Sequence, residues 1–245
     1  MTALLAGSRV ARSAVCALDA LGRARLTRDG FAGRAARLHA ACSELAVIHG
    51  LQLDIRGEWP DGAAVIVTNH VGYLDPIAIA SALPCAPIAK AEVAAWPIIG
   101  SAAGGLGAIY VSRDSVWSRA RALRRALAAL RAGVPVLNFP EGTTTDGSRL
   151  LPFARGIFGI ARLARVPVIP VAVRCSRELA WYGNAPFVPH FLMLSRMAKP
   201  AMRLDIGAPI DSTRFASAEE LAAVAYHRIA NALGFSPPIA FKVAS

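Results

Sequence analysis

The stretch Ala63-Ala64-Val65-Ile66-Val67-Thr68-Asn69-His70-Val71-Gly72-Tyr73-Leu74-Asp75-Pro76 decides the fold of this chain. Its first half is an apolar run rich in β-branched residues, which is typical of a strand buried on both faces. His70 and Asp75 follow directly, at the end of the strand where open α/β sheets place their ligands. The stretch therefore predicts an α/β fold whose chemistry lies at the carboxyl end of this strand.

The spacing of His70 and Asp75 leaves two interpretations open. Helical neighbours are three or four residues apart, so the two side chains can meet only if the segment bends, and Gly72 permits a bend. Pro76 disfavours a helical conformation at Asp75, so we expect the next helix over Pro76 to Leu83. An imidazole oriented by a carboxylate is a base that can activate a hydroxyl. Alternatively, Asp75 only caps the helix and His70 is structural.

Strand-like and helix-like segments alternate over most of the chain outside this stretch. Predicted strands cover 51–56, 63–68, 87–90, 108–112, 134–139, 166–173 and 202–207, and predicted helices cover 31–49, 76–83, 115–132, 156–164 and 217–234. Residues 175–200 are expected to be less regular. This alternation predicts an α/β fold with a mostly parallel central sheet flanked by helices.

Residues 1–50 are predicted to form an N-terminal amphipathic helical pair before an α/β domain over 51–245. The two helices are separated by residues 27–30. The first mixes large apolar residues with arginines: Leu4, Leu5, Val10, Val15, Leu18 and Leu21 with Arg9, Arg12, Arg23 and Arg25. An apolar face bordered by arginines is typical of a helix in a membrane interface. A helix packed on its own domain, with solvated arginines, fits the pattern equally well.

A second candidate for membrane contact is the uncharged stretch over 93–112. It is long enough to span a bilayer. Pro97 and four glycines interrupt it. Because such residues break helices, we expect buried loops and short elements there rather than a transmembrane helix.

The composition restricts the kind of partner. The chain has 245 residues, a net charge of +11 and 55% hydrophobic residues, which fits one α/β domain with a basic surface that attracts lipid headgroups, nucleic acid or an acidic carrier protein. Nucleic acid is disfavoured, because aromatic residues make up only 7% and no recognised module is present. The four cysteines have no metal-ligand spacing. We therefore expect no metal site and a reducing compartment.

A second polar loop follows another buried strand, at Phe139-Pro140-Glu141-Gly142-Thr143. The proline ends the strand, the glutamate follows at its tip, and the glycine lets the backbone approach a ligand. Alone, this pentapeptide is an ordinary turn. Together with the loop of His70, it predicts two polar loops that share one edge of the sheet.

Four ordered blocks now carry a resemblance to a known family. They are Asn69-His70-x4-Asp75, Ile109-Tyr110-Val111-Ser112-Arg113, Phe139-Pro140-Glu141-Gly142-Thr143 and Val166-Pro167-Val168-Ile169-Pro170. In this order they resemble the glycerolipid acyltransferases of the 1-acylglycerol-3-phosphate acyltransferase type, over roughly residues 35–215. The resemblance implies that His70 is the general base and that Asp75 orients it. It also implies that substrate is bound by Asn69, Arg113, Glu141, Gly142 and Thr143.

The function implied by this resemblance is a lysolipid O-acyltransferase. It would move a fatty acyl chain from acyl-carrier protein or acyl-CoA, as co-substrate and without a further cofactor, to the hydroxyl of 1-acylglycerol-3-phosphate or a related lysolipid. The sequence contains no GxSxG elbow and no cysteine paired with the histidine, so direct transfer is expected. We expect a peripheral or monotopic enzyme at the cytoplasmic face of the membrane. The alternatives are a non-catalytic basic membrane-binding protein and a lipid-to-lipid transacylase.

One departure from the family pattern concerns the acceptor. The third block of the family usually continues with a basic residue, but here Thr144 follows Thr143. A missing cation weakens the case for a phosphomonoester acceptor, unless Arg149 or Arg155 replaces it. The segments Glu-Gly-Thr-Thr-Thr-Asp-Gly, Trp-Tyr-Gly at 181–183 and Pro-His-Phe at 189–191 are more similar to the branch that includes lyso-ornithine lipid acyltransferases.

Overall fold

The computed structural model describes residues 2–26, 29–96 and 98–235, so Thr27, Arg28 and Pro97, which the sequence assigned to a turn and a helix break, lie outside the described residues. The strands are β1 (Gln52–Arg56), β2 (Val65–Thr68), β3 (Ala86–Lys90), β4 (Ile109–Val111), β5 (Val136–Asn138), β6 (Val168–Cys175) and β7 (Ala201–Ile206). The helices are α1 (Thr2–Leu26), α2 (Phe31–His49), α3 (Leu74–Ala82), α4 (Ile99–Gly105), α5 (Val116–Arg131), α6 (Gly156–Ala164), α7 (Phe187–Arg196) and α8 (Ala218–Leu233).

The strands form one seven-stranded sheet in the order β1-β7-β6-β2-β5-β3-β4. Every neighbouring pair is parallel except β6 and β7, which confirms the predicted mostly parallel sheet. The central strand β2 lies between β5 and β6 and is parallel to both. The carboxyl ends of these three strands therefore meet at one edge of the sheet.

Helices cover both faces of this sheet. The first core contains buried residues of α5, α6 and α8, and the second contains buried residues of α2, α3 and α4 together with Ala20 of α1 and Leu194 of α7. Strand β2 contributes alternate residues to the two cores, Val65 and Val67 to the first and Ile66 to the second. This alternation explains why its sequence is apolar throughout.

Two helices differ from the sequence prediction, and both contain proline in the first turn. Helix α3 begins at Leu74, two residues before Pro76, and α7 covers Phe187–Arg196 in a region predicted to be irregular. Pro76 and Pro189 are each the third residue of their helix. The first four N–H groups of a helix have no intrahelical acceptor, so proline costs no hydrogen bond there. The predicted helix start at Pro76 and the predicted irregular segment are therefore wrong.

The uncharged stretch over 93–112 is divided among short elements, as predicted, but the expectation of buried loops is wrong for its first part, where Ala94, Ala95, Ile98 and Ile99 are exposed. It contains the end of a 3₁₀ turn (Ala91–Ala95), α4 and β4. Among the helices of the described residues, none has both the length and the hydropathy required to cross a membrane.

Helix α1 buries small and polar residues and exposes large apolar ones. Its inward stripe consists of Ala6, Arg9, Ser13, Cys16 and Ala20. Arg9 was expected in the basic border, and this expectation is wrong. It is only 8% exposed, and its guanidinium donates to backbone carbonyls of Ser195, Met197 and Ala198 at the end of α7. This arrangement satisfies carbonyls that the helix end leaves without partners.

The outward stripe of α1 contains Leu4, Val15 and Leu18, which are 82%, 65% and 53% exposed. The packing agrees with the second sequence interpretation of α1, and the membrane interpretation stays a prediction. The helix packs on its own domain through small residues, and it also presents an apolar face to its surroundings.

Candidate active site

His70 and Asp75 are joined by a hydrogen bond at the carboxyl end of β2. The His70 Nδ1 to Asp75 Oδ2 distance is 2.7 Å. The His70 side chain is 17% exposed and that of Asp75 is fully buried. The imidazole also stacks on Phe139, with ring centroids 4.0 Å apart. No described group hydrogen-bonds Nε2 of His70, so the second ring nitrogen is available to a substrate.

Asp75 reaches His70 because its carboxylate turns back toward the preceding residues. The same Oδ2 atom accepts hydrogen bonds from the backbone N–H groups of Val71 and Gly72, at 2.7 and 3.0 Å. An ordinary N-cap side chain accepts from residues that follow it. Since α3 already includes Asp75, its carboxylate instead closes the turn between β2 and α3 and holds His70 at the same oxygen.

The backbone of His70 is held from the loop that follows β5. Its N–H donates to Oε1 of Glu141 at 2.8 Å, and its carbonyl accepts from the N–H of Thr145 at 2.8 Å. The other carboxylate oxygen of Glu141 accepts from the N–H of Leu151 at 2.8 Å. Glu141 therefore connects the two polar loops, and both of its oxygens are used by backbone groups.

The environment of Glu141 changes its titration. Burial raises the pKa of its carboxyl to about 7, the negative charge of Asp75 adds to this rise, and the N–H groups of Leu151 and His70 act in the opposite direction. Desolvation disfavours the charged form, whereas hydrogen bonds to the carboxylate favour it. Glu141 thus changes charge near neutral pH while it is attached to the backbone of His70.

Arg113 and Gly142 lie side by side although they belong to different blocks. A Cβ atom at Gly142 would lie 3.7 Å from Cζ and Nε of Arg113. Gly142 has a φ of 77°, in the left-handed region that favours glycine. The Arg113 side chain follows β4 and is exposed, as is Thr143. The structure therefore brings the guanidinium of Arg113 to the rim of the loop that carries Glu141.

Asn69 has a buried position that differs from that of the rim residues. Its Nδ2 donates to the carbonyl of Val173 at 2.9 Å, and its Oδ1 accepts from the N–H of Val173 at 2.8 Å. This pair extends the β2–β6 contact by one residue, and it engages both polar atoms of the amide.

An aromatic cluster packs against the loop of His70, and the sequence pattern identified only part of it. The N–H of Trp181 donates to the carbonyl of Val71 at 2.7 Å, and the Tyr73 hydroxyl pairs with Nδ1 of His190 at 2.9 Å. Tyr73 also meets Trp181 and Phe187 edge to face. The sequence pattern relates the segments 181–183 and 189–191 only to one branch of the family. No pattern within either segment predicts that they lie next to Tyr73 in the folded protein.

Cys175 is a further neighbour that the sequence did not connect with the site. It ends β6, and burial, followed by the negative charge of Asp75, raises the pKa of its thiol to about 12. A thiol rather than a thiolate is a poor nucleophile. In the described part of the chain, no group of three or more histidine, cysteine, aspartate and glutamate side chains is placed to hold a metal ion.

Comparisons with known proteins agree on one family. The family model described as Acyltransferase matches residues 50–174. The lyso-ornithine lipid O-acyltransferase of Rhodobacter capsulatus is 29% identical over 207 residues, which cover 79% of this chain and 74% of that protein. The 1-acyl-sn-glycerol-3-phosphate acyltransferase of Neisseria meningitidis is 30% identical over 164 residues, 67% of this chain and 58% of that protein.

A solved structure has the same fold. The crystal structure of the 1-acyl-sn-glycerophosphate acyltransferase PlsC from Thermotoga maritima matches 95% of this chain and 95% of that chain with a TM-score of 0.73. The two sequences are 23% identical. At this level of identity, the likeness concerns the fold.

Proposed function

The chain belongs to the acyltransferase family, and on this premise we propose that it is a lysolipid O-acyltransferase that uses His70 and Asp75 for direct acyl transfer. One observation carries the proposal. Nδ1 of His70 is held by a fully buried carboxylate, while no described residue engages Nε2. This is the arrangement of a general base whose proton-accepting atom faces the substrate.

The chemistry follows from this geometry. Nε2 of His70 takes the proton of the acceptor hydroxyl, whose oxygen attacks the carbonyl carbon of an acyl thioester. A C–O bond forms, the C–S bond breaks, and the protonated His70 returns its proton to the departing sulfur. The carboxylate of Asp75 stabilises the imidazolium that forms between the two proton transfers. Burial and the charge of Asp75 raise the pKa of the Cys175 thiol to about 12, which disfavours a thiolate nucleophile and supports direct transfer.

We assign Glu141 and Asn69 to positioning rather than to substrate binding. Both oxygens of Glu141 hold backbone N–H groups, and both polar atoms of the Asn69 amide hold Val173. A small displacement of a reacting group has a large effect on rate. Fixing the backbone of His70 on both sides is therefore a contribution to catalysis through His70.

The substrate-binding role falls to Arg113, with Gly142 and Thr143 at the same rim. A guanidinium suits bidentate contact with a carboxylate or a phosphate, and lyso-ornithine lipid and 1-acylglycerol-3-phosphate present these groups respectively. Arg155 forms an ion pair with Glu219 of α8, so of the two arginines considered as replacements for the cation missing at Thr144, Arg149 is the better candidate. With fewer cations at the rim, we favour lyso-ornithine lipid as the acceptor. The relative from Neisseria meningitidis supports 1-acylglycerol-3-phosphate as the second candidate.

The test offers the purified full chain two acceptors and three donors. Lyso-ornithine lipid and 1-acylglycerol-3-phosphate are each combined with acyl-carrier protein, acyl-CoA or a diacylated lipid, all with the same labelled acyl chain. We expect a labelled diacyl product with a thioester donor. Product from the diacylated lipid alone would instead indicate a transacylase. No product in any combination would indicate a non-catalytic membrane-binding protein.

The titration of Glu141 predicts a pH dependence of stability. The folded protein keeps the proton of this carboxyl up to about pH 7, whereas an unfolded chain loses it near the ordinary value of 4.5. The folded state therefore binds more protons within this window, so its stability falls as the pH rises through it. Glu141→Gln should remove this contribution to the fall in stability with pH. The free energy of unfolding is measured by urea titration near pH 4.5 and near pH 7, the two ends of the window.

Glu58→Gln is the matched control, because that side chain is exposed. This variant should show the same decrease in the free energy of unfolding with rising pH as the unsubstituted protein. If Glu141→Gln and Glu58→Gln show the same pH profile of unfolding, Glu141 does not titrate in this window.

We further propose that α1 attaches the enzyme peripherally to the cytoplasmic face of the membrane through its outward apolar stripe. This narrows the membrane role expected for residues 1–50. Helix α2 packs against α3 and buries Ala35, Leu38 and Cys42 in the core, so it belongs to the body of the domain. Removing all of 1–50 would open that core, whereas substitutions on the outer stripe of α1 leave it intact.

Leu18→Glu should weaken sedimentation with anionic vesicles. Leu18 is 53% exposed, and burying a leucine in lipid contributes about 1.5–3 kcal/mol, so we expect an affinity loss of about tenfold or more. Leu163→Glu on α6 is the matched control, since Leu163 is 60% exposed on the opposite face of the sheet. Equal sedimentation of the two variants would contradict the role of α1.

A further inference from the structure

Helix α5 presents a basic stripe that the proposed reaction does not use. The stripe consists of Trp117, Arg121, Arg124, Ala128 and Arg131, which recur at helical spacing along one side of the helix and are all exposed. Trp117 is 83% exposed. The opposite side of α5 carries the buried residues Ala122, Ala126, Ala129 and Leu130. The alanine-rich inner side packs on the sheet, and the outer side is left with three arginines and an indole.

The charge of this basic stripe is not compensated within the protein. In the described ranges, none of its three arginines forms an ion pair or a side-chain hydrogen bond, although nine ion pairs of other arginines and lysines are found there. Solvated arginines are common on helices. Helix α5 itself contains no acidic residue, so this row of arginines attracts an acidic partner.

The stripe also borders an apolar depression in the protein surface. A shallow depression between Arg124 and Arg131 is lined by Leu127, Ala128, Ala132 and, from the start of α2, Phe31. An apolar side chain flanked by carboxylates would fit this depression, with its charged neighbours at the two arginines. Such a pattern is found on an acidic amphipathic helix of a protein.

The stripe lies close to the proposed active site. Helix α5 follows β4 and Arg113, so its first turn lies at the carboxyl edge of the sheet where the loops of His70 and Glu141 meet. With a rise of 1.5 Å per residue, Arg121 and Arg124 lie within about 12 Å of the start of α5. A partner on this stripe is therefore positioned to deliver a flexible arm to that edge.

The position of the stripe favours a soluble protein over the membrane. Buried residues of α5 belong to one core, and Ala20 of α1 belongs to the core on the other face of the sheet. The outward apolar stripe of α1 and the basic stripe of α5 thus face away from the sheet on opposite sides. A flat bilayer that contacts α1 leaves α5 exposed to a soluble partner.

We propose that the basic stripe of α5 docks an acidic helix of the acyl carrier protein that delivers the acyl thioester to His70. This inference rests on the proposed function and names its donor. The carrier's carboxylates meet Arg121, Arg124 and Arg131, one apolar side chain of the carrier occupies the depression at Ala128, and Trp117 contacts the carrier nearest to the site.

The test is a double charge reversal in the full chain, Arg121→Glu with Arg124→Glu. Values of kcat/KM are measured with acyl-carrier protein and with acyl-CoA carrying the same acyl chain, at one acceptor concentration. Reversing charges at a docking surface slows encounter and weakens binding, so we expect kcat/KM for acyl-carrier protein to fall about tenfold or more. The value for acyl-CoA should stay at that of the unsubstituted protein.

The matched control is Arg196→Glu with Lys199→Glu, which makes the same change in net charge at exposed residues near the end of α7. It should leave the values for both donors unchanged. Equal losses with both donors, or in both variants, would overturn the proposal. So would an unsubstituted protein that uses acyl-CoA but not acyl-carrier protein, although the proposed function would then stand.

Direct binding separates failure of this proposal from failure of the proposed function. If the unsubstituted protein transfers no acyl chain from any donor, the proposed function fails. In that case, the affinity of the enzyme for carrier protein with a free thiol arm tests whether the basic stripe of α5 docks the carrier. Weaker binding by the double variant supports docking, and equal or absent binding overturns it. Loss of vesicle binding with unchanged carrier binding would show that the stripe contacts lipid, and would also overturn it.

Discussion

Replacing His70 by alanine is expected to reduce acyl transfer by about 10²–10⁴-fold, the range that general-base catalysis typically contributes. The fold should survive, because the contacts that hold this loop use the backbone of residue 70. Its N–H still donates to Glu141 and its carbonyl still accepts from Thr145. Asp75 also keeps the N–H groups of Val71 and Gly72.

His39→Ala is a suitable control for this experiment. His39 lies on α2, where Nδ1 pairs with the carbonyl of Ala80 at 2.8 Å, away from the loops of the candidate site. We expect this variant to keep the kcat of the unsubstituted protein. If His70→Ala also retained full kcat with an unchanged thermal unfolding profile, His70 would not be the base.

Two substitutions at Asp75 are expected to separate catalysis from folding. Asp75→Asn keeps an oxygen that can accept from Val71 and Gly72, but it removes the negative charge that stabilises a protonated His70. We therefore expect kcat to fall by about 10²–10⁴-fold. Stability should fall less than in an alanine variant, since the remaining amide oxygen still accepts from the N–H groups of Val71 and Gly72.

Asp75→Ala should additionally unfold the protein more easily. It leaves two buried backbone N–H groups without their acceptor, at about 1–3 kcal/mol each. We therefore expect the free energy of unfolding to fall by about 2–6 kcal/mol, measured by urea titration. The asparagine variant is the matched control for this loss. An asparagine variant with full kcat would show that the charge of Asp75 is not needed, and an alanine variant of full stability would show that the turn does not depend on the carboxylate.

Several elements of the fold could be predicted closely because their signals are local. Helix α2 ends at Gly50 and α8 ends at Gly234, and both glycines adopt the left-handed conformation of a helix C-cap. Helix α8 begins after Ser217, whose side chain accepts from the N–H of Glu220 as the capping pattern predicts. Such signals depend only on residues within one turn of each other, so they can be read without the rest of the structure.

The sequence by itself determined the alternating elements, the mostly parallel sheet and the two polar loops at one edge, because strand burial and helix capping are local properties. The tertiary structure decided which groups each side chain meets. It showed that Asp75 turns back within α3, that both oxygens of Glu141 are taken by backbone N–H groups, and that Arg9 lies inside while Leu18 lies outside. Hydrogen-bond partners and helix orientation depend on segments distant in sequence, and periodicity within one segment contains no information about them.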